Sequence, residues 1–214
     1  RGHVLLEGPP GQAKTTMLLA LSRAINGRFE RFQGLPDTMP SDILYATDIS
    51  SSGRIKFSYG NLISHGENIG IVLIDEINRF QSKTQAVFLE AMQERRMTTG
   101  KTTTKLPHVI FVATRNPLEK KETYELPAAQ RDRFLMEIEM NYPDEVAEKS
   151  IFSDPDFQDM ESLVEKVRPV IELPRIKIMA TIIQNQVKVS EAIINYVHRI
   201  VGATRDPWKY DVLK

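Results

Sequence analysis

The segment GPPGQAKTT, residues 8–16, constrains the fold of this chain more than any other feature. It matches the phosphate-binding pattern G-x-x-x-x-G-K-[ST], except that Ala13 stands where the second glycine is expected. In that pattern the backbone N–H groups of the loop and of the following helix N-terminus point at one anion. The segment here follows a short apolar run and precedes a helical pattern, so it predicts a strand–loop–helix unit of an α/β fold.

The loop contributes backbone donors and two functional side chains. Pro9 and Pro10 have no N–H group, so we expect the donors to come from Gly11 to Thr16. Lys14 would neutralise the β- and γ-phosphates, and the Thr15 hydroxyl would complete a Mg²⁺ shell. The predicted nucleotide-binding residues are Gly8, Pro9, Pro10, Gly11, Gln12, Ala13, Lys14, Thr15 and Thr16.

Ala13 does not exclude a working site. Its backbone donor survives, since only proline lacks one. We expect right-handed backbone angles here, at the first turn of the helix, where alanine is favourable. Even a positive φ would cost about 1 kcal/mol, which is too little to abolish binding.

Two further strand ends carry polar residues suited to phosphate chemistry. The run Ile71–Ile74 reads as a buried strand and ends in Asp75 and Glu76. In a parallel sheet, ligands bind at the carboxyl ends of the strands. Asp75 would hold Mg²⁺, and Glu76 would orient and deprotonate the attacking water. Asn116 follows the next strand in an Asn-Pro turn, where its amide can hold that water or touch the γ-phosphate.

Strands alternate with helices along the first part of the chain, which predicts a three-layer α/β core with a parallel sheet. Two excursions, near 54–59 and 97–106, resemble hairpins, and helices dominate after Pro143. We therefore predict a core over 1–150 and part of an all-α lid over 151–214. The predicted strands are 3–7, 29–32, 69–75, 109–114 and 135–140, and the main helices are 16–26, ended by Gly27, 82–95 and one near 127–133.

Composition narrows the class of protein. Lys+Arg and Asp+Glu both number 28, so no global field attracts nucleic acid or an acidic membrane. The absence of cysteine excludes thiolate metal sites and disulfides. The four histidines lack metal-ligand spacing, and no apolar run approaches the ~20 residues of a membrane span. We expect a soluble, cytoplasmic protein.

These motifs, in this order, resemble those of the AAA+ ATPases. The particular residues within the motifs resemble those of the MoxR family. The likeness is carried by GHVLLEGPPGQAKTT, IDEINR, KTQAVFLEAMQERRMTTG, ATRNP and LPAAQRDRF. It is dense over residues 2–143 and thinner in KVSEAIINYVHRIVGATRDP, which resembles the start of the family's helical lid. Alanine before the loop lysine is common in sequences of that family.

The resemblance implies a role for each motif. Lys14 and Thr15 would be the Walker A pair, Asp75 and Glu76 the Walker B pair, and Asn116 sensor 1. Arg133 would be the arginine finger that enters a neighbour's site within a ring, usually a hexamer, although Arg131 is a second candidate. The two hairpins would be the insert in helix 2 and the insert before sensor 1. The family's sensor 2 motif, G-A-S-P-R-A, is absent, and we expect it beyond residue 214.

The implied function is ATP hydrolysis, with Mg²⁺, by a ring that remodels or assembles protein complexes. MoxR relatives act as chaperone-like partners of proteins with a von Willebrand factor A domain, often in metalloenzyme maturation. One alternative is a nucleic-acid motor, since Lys101 and Lys105 lie on the second hairpin. Zero net charge and the lack of interleaved aromatic residues argue against it. Another alternative is a nucleotide switch with little turnover, against which the intact Glu76 counts.

Overall fold

The computed structural model describes residues 2–49, 55–116 and 124–209. Its main sheet contains five strands, and its smaller sheets are two hairpins. The first predicted hairpin turn, at 50–53, and the residues after Asn116 up to 123 lie outside the described residues. The main strands are β1 (Val4–Glu7), β2 (Arg28–Gln33), β5 (Ile69–Asp75), β8 (Ile110–Arg115) and β9 (Met136–Glu139).

The five strands are parallel and lie in the order β2-β5-β8-β1-β9. Their register brings the ends of neighbouring strands level: Gln33 pairs with Asp75, and Glu7 pairs with both Arg115 and Glu139. Because all the carboxyl ends meet at one edge, the residues that follow the strands come together there. The predicted parallel α/β sheet is therefore confirmed.

The chain divides into two compact units, Arg1–Ile176 and Lys177–Lys214, and the sheet belongs to the first. The division at 150 between a core and a lid stays a prediction. Among the described residues, no helix is long and apolar enough to cross a membrane. The helices are α1 (Lys14–Ala24), α2 (Pro40–Leu44), α3 (Asn61–His65), α4 (Ser82–Glu94), α5 (Ala128–Arg131), α6 (Glu145–Ser153), α7 (Met160–Lys166), α8 (Leu173–Gln186) and α9 (Glu191–Arg205).

The core forms two apolar clusters. Successive residues of β5 belong alternately to one cluster and to the other. Ile71 and Leu73 belong to the cluster that contains Leu18 of α1, whereas Val72 and Ile74 belong to the cluster that contains Phe88 of α4. Successive side chains of a strand point to opposite faces, so both faces of β5 are covered. This covering makes the sheet the middle of three layers.

The end of α1 differs from the expectation that Gly27 stops the helix. Asn26, with φ of 49°, takes the left-handed conformation, and the Gly27 N–H donates to the Ser22 carbonyl at 2.9 Å. This is the hydrogen bond of a Schellman cap, with Asn26 at the position that glycine usually occupies. Gly27 serves a different purpose, because a Cβ atom there would lie 2.8 Å from the Gly70 Cα.

Both predicted hairpins are present. The first pairs β3 (Tyr45–Ile49) with β4 (Ile55–Tyr59), and the second pairs β6 (Arg96–Thr99) with β7 (Thr102–Lys105). Gly100 lies in the second turn with φ of 59°. A 2.8 Å hydrogen bond between the hydroxyls of Tyr59 and Thr102 joins the two hairpins.

His3 connects three elements of the core. Its Nδ1 accepts the Phe111 N–H of β8 at 3.1 Å, so its Nε2 carries the proton and donates to the Met92 carbonyl of α4 at 3.1 Å. Burial lowers the pKa of His3 to about 4, and the positive charge of Arg95 lowers it further. The imidazole is therefore neutral in the folded protein at neutral pH.

This geometry predicts that the protein loses stability as the pH falls from 6.5 to about 4. Over that interval the unfolded chain binds a proton at residue 3 that the folded protein does not, which corresponds to about 3 kcal/mol. Denaturant unfolding curves at several pH values measure the slope. His3→Gln should remove this part of the slope, whereas His198→Gln, which changes an exposed histidine of α9, should leave it. An unchanged slope in His3→Gln would contradict the assignment.

Candidate nucleotide-binding site

A cavity of about 490 Å³ lies where the carboxyl ends of the strands meet, a volume typical of ligand pockets. The predicted loop residues line it, with the exception of Pro9, and so do Asp75, Glu76 and Asn116. Arg133 does not. The complete lining is Gly8, Pro10, Gly11, Gln12, Ala13, Lys14, Thr15, Thr16, Arg31, Gln33, Asp75, Glu76, Thr114, Arg115 and Asn116.

Two glycines let the loop take its course between β1 and α1. Gly11 has φ of +80°, which side chains rarely adopt. Gly8 has φ of +156°, and a Cβ atom there would collide with the Met140 carbonyl oxygen. Glycine at these two positions brings the backbone of the loop to the cavity wall.

Ala13 adopts left-handed angles, with φ of 50° and ψ of 26°, so the expectation of right-handed angles was wrong. The helix begins one residue later, at Lys14, and Ala13 is its N-cap. The Ala13 carbonyl accepts the Met17 N–H at 3.0 Å. The phosphate-loop pattern favours glycine here because this conformation costs other residues on the order of 1 kcal/mol.

Lys14 provides the positive charge of the cavity wall. Its Nζ donates to the Gly8 carbonyl at 2.7 Å. Partial burial lowers the pKa of Lys14, and the negative charges of Asp75 and Glu76 oppose that shift. The ammonium group therefore lies within electrostatic reach of both acidic residues.

The hydroxyl of Thr114 orients both acidic residues. It donates to Asp75 Oδ1 at 2.6 Å and accepts the Glu76 N–H at 2.8 Å. Thr114 is 2% exposed, so these bonds are shielded from water. Glu76 itself has φ of 53°, an uncommon angle for a residue with a side chain, of the kind that clusters at functional sites.

The edge strand β2 supplies two residues that the sequence analysis did not assign to the site. Arg31 Nη2 lies 2.6 Å from Asp75 Oδ2. Gln33 Nε2 donates to Glu76 Oε2 at 2.9 Å, and Arg79 donates to the same oxygen at 3.1 Å. The sequence offered one indication of this: Arg31 and Gln33 are two residues apart at the end of a strand, so both side chains point to the same face of the sheet.

The two arginine-finger candidates differ in their contacts. Arg131 Nη2 donates to Glu137 Oε2 of β9 at 2.6 Å. Arg133 is exposed, and its side chain makes no hydrogen bond or ion pair with any described residue. Arg131 is thus engaged within its own chain, whereas Arg133 can reach another molecule.

The donors at the cavity fit Mg²⁺ bound together with phosphate. Thr15 and Asp75 both line the cavity and offer a hydroxyl and a carboxylate oxygen. The described residues contain no group of three or more His, Cys, Asp or Glu side chains placed to hold a metal. Mg²⁺ usually binds through one or two carboxylates and the phosphates of the substrate, for which this donor set is sufficient.

Comparisons with known proteins agree with this geometry. The model of the ATPase family associated with various cellular activities (AAA) matches residues 3–136. Protein MoxR of Methylorubrum extorquens is 39% identical over 199 residues, which cover 92% of this chain and 58% of that protein. Chaperone MoxR1 of Mycobacterium tuberculosis is 38% identical over 97% of this chain and 52% of that protein. The crystal structure of a candidate ATPase from Cytophaga hutchinsonii superimposes with a TM-score of 0.82 at 34% identity, over 99% of this chain and 62% of that one.

The fold and the site define a phosphate-loop protein of the AAA ATPase class. Within that class, the chain belongs to the MoxR family. It spans between 52% and 58% of the length of the two curated relatives named above. The resemblance found in the sequence is therefore confirmed at the level of family and fold.

We predict that Ala13→Gly leaves nucleotide affinity within a few-fold, because the backbone donor is present in both residues. Glycine relieves the left-handed strain of about 1–2 kcal/mol but makes the unfolded chain more flexible by about 0.4–1 kcal/mol. The unfolding free energy should thus rise by up to about 1.6 kcal/mol. Ala20→Gly, inside α1, is the control and should lower it by about 1 kcal/mol. Nucleotide titration and denaturant unfolding measure both effects, and a hundredfold loss of affinity would show that the methyl group is needed.

Proposed function

We propose that this chain binds ATP with Mg²⁺ and hydrolyses it, as one subunit of a ring that remodels or assembles protein complexes. The observation that carries the proposal is the convergence of Lys14, Asp75 and Glu76 on one cavity at the carboxyl edge of the sheet. A cation that can hold phosphates, a carboxylate that can hold a metal and a carboxylate that can take a proton are the groups that the reaction needs.

Each residue has a proposed role in the reaction. Lys14 holds the charged phosphates, and Thr15 and Asp75 hold Mg²⁺, which supplies charge neutralisation when bound. Asn116 orients a water molecule against the terminal phosphorus, and Glu76 accepts the proton from that water. Since Gln33 and Arg79 both donate to Glu76 Oε2, we assign Oε1 as the oxygen that takes the proton.

The assembly around this reaction is proposed from the family. A ring, usually a hexamer, would place Arg133 at a neighbour's phosphates, and the exposure of that side chain supports this role. A protein client and a partner with a von Willebrand factor A domain are proposed on the same basis, as is a cytoplasmic location.

A nucleic-acid motor is the second candidate. Lys101 and Lys105 are exposed on the β6–β7 hairpin and could contact phosphate groups. The equal numbers of acidic and basic residues, 28 of each, disfavour it. DNA-binding titrations at several salt concentrations separate the two functions, because phosphate contacts impose a steep dependence on salt.

Lys14→Ala and Glu76→Gln should separate binding from chemistry. Loss of the lysine charge weakens ATP binding, whereas the glutamine variant keeps the shape of the site but cannot take the proton. ATP should therefore bind to Glu76→Gln and persist unhydrolysed. Nucleotide titration and phosphate release measure the two steps, with Glu90→Gln on the exposed face of α4 as the matched control. Hydrolysis by Glu76→Gln at the rate of that control would contradict the assignment of the base.

The proposed ring predicts that two inactive variants restore each other. Arg133→Ala keeps its own pocket and lacks the finger, whereas Lys14→Ala has a defective pocket and an intact finger. Each should be nearly inactive in the full-length protein, because such fingers contribute on the order of 10³-fold or more in other enzymes. Mixed rings contain some interfaces that pair a good pocket with a good finger, so phosphate release should partly return.

Co-assembled mixtures that never exceed the sum of the two parents would show that Arg133 does not act between subunits. The same complementation with Arg131→Ala would then test the other arginine. Because Arg131 pairs with Glu137 inside its own chain, we expect Arg133 to be the arginine that contacts the neighbour's phosphates.

A further inference from the structure

Four charged side chains form a row from the carboxyl ends of β8 and β1, through the second residue of β9, to α5. In order they are Arg115, Glu7, Glu137 and Arg131. Arg115 lines the cavity and directly precedes Asn116. The row therefore has one end at the candidate nucleotide site and the other at the segment that carries Arg133.

We propose that Glu137 is a positioning residue for the arginine finger: through Arg131 it fixes the segment that presents Arg133 to the neighbouring subunit. This inference rests on the proposed function, since it needs a ring in which Arg133 acts on another subunit. It assigns a role to two residues, Glu137 and Arg131, that do not touch the cavity.

The ion pair at the α5 end has good geometry. Arg131 Nη2 lies 2.6 Å from Glu137 Oε2, and Arg115 Nη2 lies 3.9 Å from Glu137 Oε1. At the other end, Arg115 and Glu7 form a close ion pair whose side chains are only 18% and 12% exposed. Partly buried ion pairs are screened less by salt than surface pairs. The Arg115–Glu7 pair therefore holds Arg115 in place next to Glu137.

The arginines at the two ends of the row, Arg115 and Arg131, affect the pKa values of the two carboxyl groups between them. The carboxyl groups of Glu7 and Glu137 lie close together, and a hydrogen bond between them requires that one of them carries a proton. Burial raises the pKa of Glu7, and the charge of Arg115 opposes that shift. The hydrogen bond of Arg131 lowers the pKa of Glu137, which keeps that carboxylate ionised. The four groups therefore hold one another in place as a unit.

Backbone hydrogen bonds shape the finger segment: the Arg133 N–H donates to the Gln130 carbonyl at 3.3 Å, and the Leu135 N–H donates to the His3 carbonyl at 2.8 Å. Helix α5 is a single turn that ends at Arg131, and Asp132 and Arg133 are exposed. Phe134 packs against the apolar core on the far side of the finger. Among the side-chain contacts of this segment, Arg133 thus lies between the apolar contact of Phe134 and the ion pair of Arg131 with Glu137.

Glu137→Gln in the full-length protein tests the inference. The amide removes the charge and the ion pair while it keeps the size of the side chain. ATP affinity should stay within about twofold, whereas phosphate release should fall about 10- to 100-fold, the cost of a misplaced group of this kind. Glu139→Gln, two residues along the same exposed strand, is the matched control and should behave like the parent. Thermal unfolding of both variants, with midpoints close to that of the parent, would exclude misfolding as the cause.

Complementation separates a finger defect from a pocket defect. Glu137→Gln mixed with Lys14→Ala should regain hydrolysis, because the lysine variant offers an intact finger to an intact pocket. Glu137→Gln mixed with Arg133→Ala should stay inactive, because neither subunit offers a good finger. Arg131→Gln should show the same pattern, and the double variant should be no worse than either single one.

Three results would overturn the inference. The first is that Glu137→Gln does not differ from Glu139→Gln. The second is that Arg133→Ala rescues it and Lys14→Ala does not, which would place the defect of Glu137→Gln in its own pocket. If Arg133→Ala and Lys14→Ala fail to complement each other, the proposed ring function falls and this inference falls with it. That last failure involves no change at residue 137, so it is distinct from the first two.

Discussion

Strand β5 is covered on both faces, and every residue from Ile69 to Ile74 is shielded from solvent. A strand that is buried on both faces belongs to a sheet that is itself the middle layer, with helices on both sides. The strands are parallel, so each must return through a crossover and end at the same edge. The phosphate-binding loop, the acidic pair and Asn116 meet at that edge because β1, β5 and β8 end there. The site thus follows from how the central strand is buried.

Much of the fold could be predicted from local patterns. The continuous apolar run of β5 and the loop before α1 each specify their structure within a few residues. Helices α2 and α3 were not predicted, because five residues are too few to show a helical period. The helix cap at Asn26 was not predicted, because the neighbouring Gly27 is the residue type that usually ends a helix. Gly27 is instead required by its close approach to Gly70.

The candidate site was predicted in its loop and its acidic pair but not in the contacts between strands. Arg31, Gln33 and Thr114 belong to strands that are distant in sequence from Asp75 and Glu76, and only the strand order shows that they meet. The backbone of the loop was the other error. Whether α1 begins at residue 13 or 14 decides the sign of one φ angle, and pattern matching does not locate helix ends so closely.

A single hydroxyl on Thr114 contacts both acidic residues at the edge of the sheet: it donates to the Asp75 carboxylate and accepts the Glu76 backbone N–H. Asp75 and Glu76 therefore share one buried contact, although Arg31 also binds the first and Gln33 also binds the second. A substitution that removes this oxygen removes one hydrogen bond from each of the two residues. Substitution of this buried threonine therefore affects two neighbouring residues, which is more than its small, uncharged side chain suggests.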